Sequence, residues 1–130
     1  MNTAVILALL SSVSLEYNIP EGLLASICYK ESTFNVQAIN RFDGGKTHSY
    51  GICQVKLETA KFMGFKGNRK ALQDPETNIT YAAKYLRYQY RRYRSWVKAI
   101  GAYNRGSVNG NCTNYSHEVI DIWMTKRYLN

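Results

Sequence analysis

Apolar positions along this chain recur mostly at helical spacing and alternate in very few places. Ala4 to Leu15 is almost wholly apolar. Around it, Ile6, Leu9, Leu10, Val13 and Tyr17 fall at i, i+3, i+4, i+7 and i+11, the face of a buried helix. The same run has the apolar core of a secretory signal, with Ser12-Val13-Ser14 as a small-x-small cleavage site, but no Lys or Arg precedes it. The core helix is the preferred reading, and the run is too short to span a membrane. Asn18 as cap, Pro20 at an early helical position and Glu21 in the first turn predict a second helix. Its inward stripe is Leu23, Leu24, Ile27 and Cys28.

Residues 35–50 read as a loop with a small β-hairpin near 40–50, because Asp43-Gly44 is a turn signal. A helix from about Lys56 to Met63 follows the run Gly51 to Val55. Asp74-Pro75-Glu76 opens the longest helix with a cap, a proline at its first position and an acid in its first turn. Ile79, Ala82, Ala83, Leu86, Tyr90 and Tyr93 give its inward face. A short helix from Trp96 to Tyr103 stops at Asn104-Arg105-Gly106. The last helix runs from about Tyr115 to Tyr128, with Val119, Ile122 and Trp123 facing in. The expected fold is mainly α, with five to six helices, in one domain over residues 1–130.

Composition narrows the function. The chain has 130 residues, with 17 basic against nine acidic side chains and a formal charge of +8. That balance suits a polyanionic partner such as nucleic acid, an anionic membrane face or a cell-wall polymer. The stretch Arg87 to Arg94 interleaves four arginines with three tyrosines, a mix that stacks on bases and holds phosphates. Such a run is more commonly a solvated face, and no nucleic-acid-binding motif accompanies it. Cys28, Cys53 and Cys112 are odd in number and lack C-x-x-C spacing, so neither a full disulfide framework nor a zinc site is suggested. Cys28 reads as a small core residue. With two histidines, His48 and His117, no metal site or cofactor is expected.

Chemistry concentrates at Glu31. It lies four residues after Ile27 and so continues the apolar stripe of its helix. Between Phe34 and Leu57 the only other acid is Asp43. A lone carboxyl in a partly apolar cleft resists ionisation, because desolvation penalises its charged form. Such a group is suited to donate a proton in acetal cleavage. The alternative is that Glu31 simply marks a solvated helix end.

Taken in order, Glu31-Ser32-x-Phe34, Ala38, Ser49-x-Gly51-Ile52-Cys53-Gln54-Val55, Thr59-Ala60, Asp74-Pro75-x-x-Asn78-Ile79, Ala102-Tyr103-Asn104-x-Gly106 and Tyr115-x-x-x-Val119 form a recognisable set. The chain resembles the lytic transglycosylases of the soluble lytic transglycosylase type, relatives of goose-type lysozyme, over about residues 16 to 120. The resemblance implies a lysozyme-like fold with a glycan cleft. It assigns Glu31 as the catalytic acid that cleaves peptidoglycan between N-acetylmuramic acid and N-acetylglucosamine, leaving 1,6-anhydro ends. Ser32, Ser49, Gln54, Tyr103 and Asn104 match positions that line the family's cleft, and Tyr115 matches a tyrosine that approaches the catalytic glutamate. From the residues alone, Tyr103 and Tyr115 also read as core tyrosines, Ser32 as a cap, and Gln54 and Asn104 as backbone ties.

Three departures stand out. Cys53 takes a place where the family usually carries Met, and Arg105 one where it usually carries Ala. The segment between Glu31 and Gly51 is longer than in many members, which resembles the small transglycosylases of secretion machines and bacteriophages. Asp43 lies in that segment, where goose-type lysozymes carry a comparable acid. If it reached the cleft it would activate water, making the protein a hydrolytic muramidase. A third reading is a basic protein that binds wall polymer or nucleic acid without cutting. The expected setting is the periplasm or cell wall, with peptidoglycan strands and anionic wall polymers as partners, no nucleic acid, and a monomeric state.

Overall fold

The computed structural model of the chain describes residues 1–41, 48–106 and 114–130. Its elements in chain order are helix α1 (Thr3–Glu16), α2 (Leu23–Ser32), strands β1 (Ile39–Asn40), β2 (Ser49–Tyr50) and β3 (Val55–Lys56), then α3 (Leu57–Phe62), α4 (Arg69–Leu72), α5 (Pro75–Tyr93), α6 (Trp96–Arg105) and α7 (Asn114–Thr125). A 3-10 turn at Arg127–Leu129 closes the chain. The mainly α architecture matches the sequence reading. Seven α-helices are present among the described residues rather than five or six. The addition is the single turn α4, which Asn68 caps by accepting from the Ala71 N–H at 2.9 Å.

Helix α1 starts at Asn2, whose side chain accepts from the Val5 N–H at 3.0 Å. It buries Ile6, Leu10 and Val13 as the periodicity predicts. Its end corrects one expectation. Asn18 does not cap α2; it takes a left-handed conformation with φ 55° just past α1. There the Ile19 N–H reaches the Ser14 carbonyl at 2.9 Å and the Asn18 N–H the Leu15 carbonyl at 3.4 Å, a Schellman-type stop. Asparagine tolerates this conformation, so the same residue that suits a start serves as a stop. Helix α2 begins only at Leu23, after a turn through Gly22 at φ 84°. A β-carbon at Gly22 would lie 2.6 Å from the Tyr128 hydroxyl, so the turn is closed by the chain's own C-terminal residues.

Every residue of α2 from Leu23 to Cys28 is buried. A helix stretch buried all round belongs at the centre of its domain. The one polar side chain of the stretch, Ser26, donates to the Gly22 carbonyl at 2.7 Å, and α1, α5, α6 and α7 supply other residues of the same core. The hairpin expected near 40–50 is part of a three-stranded antiparallel sheet. Ile39 pairs with Tyr50, Asn40 with Ser49, Ser49 with Lys56 and Tyr50 with Val55. The Asp43-Gly44 turn and Cys112 lie outside the described residues.

The cysteines require a second correction. Cys28 and Cys53 form a disulfide, with Cα atoms 4.2 Å apart. Cys28 is buried in the core as expected, but covalently tied. Asp74 and Ser95 cap α5 and α6, accepting from Thr77 N–H at 3.1 Å and Lys98 N–H at 3.2 Å. Gly106 ends α6 at φ 90°. The last helix ends sooner than Tyr128: Lys126 turns left-handed at φ 55°, and Tyr128 is then buried from the 3-10 turn.

Candidate active site

Glu31 sits in the last turn of α2, half-buried, where the helix emerges from the core. The helix stops two residues later with Thr33 and Phe34 both left-handed, at φ 52° and 65°. Two consecutive non-glycine residues in that region cost roughly 1–3 kcal/mol each. This exit is steadied by Ser32, whose hydroxyl donates to the Ile52 carbonyl at 2.6 Å and accepts from the Asn35 N–H at 3.1 Å. Lys30 pairs with Glu118, joining α2 to α7.

Beyond Glu31 opens a pocket of about 260 Å³. The structure brings Glu31, Ser49, Gln54, Tyr103 and Asn104 together around it. Ser32 is not among its lining residues and is engaged with backbone instead. Tyr115 does not line it either, yet its hydroxyl donates to Glu31 Oε2 at 2.5 Å from helix α7. Asp43 lies outside the described residues. Sequence reasoning did not place Lys56, Glu58, Thr59 or Tyr85 at the pocket, although all four line it. Lys56 and Glu58 flank the start of α3, so a helix beginning beside a motif glutamine was the available signal. Arg105, noted as a departure, is also in the wall.

The wall from Gly51 to Gln54 is held by polar bonds. Asn78, fully buried on α5, donates through Nδ2 to the Tyr50 and Leu72 carbonyls, both at 2.8 Å. Its Oδ1 accepts from the Cys53 N–H at 2.8 Å. Gly51 is left-handed at φ 81°, and a β-carbon there would come within 2.5 Å of Asn78 Nδ2. The glycine is thus required twice, by conformation and by close approach. Gln54 donates to the carbonyls of Gly51 at 3.0 Å and Ala38 at 3.3 Å. Tyr103 donates to the Cys53 carbonyl at 2.8 Å. Burial, then the neighbouring Glu31 charge and Tyr85, push the Tyr103 phenol well above its ordinary 10. Burial, then Glu31, do the same at Tyr115. Both phenols therefore stay protonated near neutral pH and remain hydrogen-bond donors.

Among the described residues no group of three or more His, Cys, Asp or Glu side chains is arranged to hold a metal ion. What the site offers is one half-buried carboxyl, approached by a tyrosine hydroxyl, facing an open polar trough. That arrangement suits proton transfer to a ligand in the pocket.

The chain belongs to the transglycosylase SLT domain family, whose model matches residues 9–119. It is 38% identical over 94 residues to Protein IpgF of Shigella flexneri, covering 70% of this chain and 60% of that protein. Protein IpgF of Shigella sonnei matches to the same extent. Membrane-bound lytic murein transglycosylase C of Photorhabdus laumondii subsp. laumondii is 37% identical over 87 residues, 62% of this chain and 23% of that protein. The match thus spans less than two thirds of the length of each of these relatives.

Proposed function

We propose that this chain is a peptidoglycan lytic transglycosylase, with Glu31 as its acid and then its base. The observation that carries the reading is Glu31 itself, half-buried at the pocket with the Tyr115 hydroxyl on one of its oxygens. Glu31 gives its proton to the glycosidic oxygen as the bond from muramoyl C1 breaks, and the N-acetylglucosamine end leaves as an alcohol. The carboxylate then takes the proton of the muramoyl C6 hydroxyl as that oxygen closes on C1. No water is consumed, and the proton Glu31 gave is restored.

Ser49, Gln54, Tyr103 and Asn104 contact the glycan from the pocket wall in this reading. Ser32 and Tyr115 set the position of Glu31 from outside it. The domain acts on its own as a monomer, in the periplasm or cell wall, where an intact disulfide is expected to persist. Among the described residues no helix is long and apolar enough to cross a membrane. The positive charge gathers the protein onto anionic wall polymers rather than nucleic acid, because the arginine run does not form one free face. Arg87 donates to the Asn18 carbonyl, and Arg92 to the Gly106 carbonyl and Gln89 Oε1.

The test is mass spectrometry of the fragments released from purified sacculi. Anhydro ends, lighter than reducing ends by one water, are expected, with release falling about 10²–10⁴-fold in Glu31→Gln. Reducing ends would overturn transglycosylation, since they form only when water rather than the C6 hydroxyl adds at C1.

A further inference from the structure

Charge is spread very unevenly along this chain. Between Glu76 and Glu118 there are seven basic side chains and no acidic one, while the rest of the chain holds ten basic and all nine acidic groups. The seven all fall on α5, on α6 or on Arg94 between them, so nearly the whole net charge belongs to one helical hairpin. Within it, Arg91, Arg94 and Lys98 gather at the bend. All three are exposed, and among the described residues no carboxylate pairs with any of them. Arg94 ends α5 in a left-handed conformation at φ 54°, and Ser95 caps α6 directly after it.

Helix stability accounts for Arg91, which sits in the last turn of α5. It does not account for Lys98. That cation lies in the first turn of α6, where the helix dipole disfavours it and where no acid is present. Val97 beside it is 36% exposed. A cation held against the dipole, next to an exposed valine, points to a partner outside the chain. The neighbouring rings bear on which anion this is. Tyr90 stacks on Trp96 with centroids 4.0 Å apart and carries Arg87 5.2 Å from its ring centre. Engaged by its own neighbours, that ring is no open platform for a nucleic-acid base. None of Arg91, Arg94, Val97 and Lys98 lines the depressions at Glu31, Phe62, Tyr128 or Val36. They form the end of a hairpin, which meets a flat charged surface better than it holds a thread. Cations beside tyrosine, tryptophan and an exposed aliphatic group are the composition that rests among lipid headgroups.

We propose that the α5–α6 bend is a docking surface for an anionic phospholipid bilayer, with Arg91, Arg94 and Lys98 on headgroup phosphates and Val97 at the acyl boundary. The bilayer is a partner beyond the wall polymers to which overall charge draws the chain, and the surface does not depend on the chemistry at Glu31. The pocket wall at Tyr103 and Asn104 lies at the other end of α6, a helix of 10 residues and so about 15 Å long. The docked protein therefore keeps its cleft clear of the lipid.

The experiment is sedimentation of the full chain with lipid vesicles in roughly 0.1 M salt. One set is phosphatidylcholine alone and the other phosphatidylcholine mixed with phosphatidylglycerol. The protein should sediment with the mixed vesicles and not with the neutral ones. Replacing Arg91, Arg94 and Lys98 together by Gln should weaken that binding on the order of a hundredfold. Replacing Lys61, Lys66 and Lys70 by Gln removes the same charge from exposed positions elsewhere and should stay within about threefold of the parent. Val97→Asn, which changes no charge, should weaken vesicle binding and leave binding to soluble polyphosphate unchanged. Failure to sediment with the mixed vesicles would overturn the surface. So would equal losses in the two triple variants, which is what net charge alone produces. A bend whose triple substitution weakens polyphosphate binding but not vesicle binding would be a polymer site, and the bilayer reading would fall.

Discussion

The two sides of the pocket are built in different ways. On one side Glu31 is carried by α2, whose residues Leu23 to Cys28 are all buried. Its position follows from many small apolar contacts, none of which decides it alone. On the other side stand strands of two residues each and the turn Gly51–Gln54. Tyr50, Ile52, Cys53 and Val55 are buried there too, but elements that short leave much of their backbone without regular pairing. They are held by Asn78, Tyr103, Ser32 and the Cys28–Cys53 bond. The helical side is redundant, and the turn side depends on a few specific bonds.

The sharpest way to break this contrast is Asn78→Ala. It strands the Cys53 N–H and the Tyr50 and Leu72 carbonyls, each an orphaned buried group worth about 1–3 kcal/mol. A loss of about 4 kcal/mol is expected in urea unfolding, against about 1 kcal/mol for Ile27→Val on the helical side. Equal costs would erase the distinction. Next in size, replacing Cys28 and Cys53 together by Ala should cost about 3 kcal/mol, because the bond closes a loop with a sequence separation of 25. Thermal unfolding with and without reductant should show the same drop in the parent and none in the double variant.

The smallest effect sharpens the comparison through pH. Tyr103 reaches the turn side and Tyr115 the helical side, and both phenols are held above 10, first by burial. Below about pH 10 both folded and unfolded chains keep these protons. Above it the unfolded chain releases them first, the folded state binds more protons, and stability falls as pH rises through the folded values. Urea midpoints measured from about pH 9 upward should fall less steeply in Tyr115→Phe than in the parent. Identical slopes would mean that Tyr115 titrates freely.

Local signals in this sequence carried far. Asp74-Pro75 opens α5, Gly106 closes α6, and the helical period marks the buried faces of α1 and α7. Ordered motif residues also placed Glu31, Ser49, Gln54, Tyr103 and Asn104 as candidates before any geometry, and these five do surround one pocket. What was not legible is pairing at long range. Nothing in the spacing of Cys28 and Cys53 says that their side chains meet, and nothing around Asn78 says that it serves carbonyls at Tyr50 and Leu72. Asn18 failed for another reason: a residue whose side chain suits a helix start also suits the left-handed turn that ends one.

The disulfide also changes what a cut can do. Together with the peptide chain from residue 28 to 53 it forms a closed covalent ring, and Glu31, Ser32, Ser49 and Gly51 are all members of it. A protease that severs one peptide bond anywhere in that ring therefore releases nothing. The nicked chain remains one molecule, of unchanged mass but for one added water, with its acid still tethered to the wall it faces. Only a second cut, or a reductant, lets a piece depart.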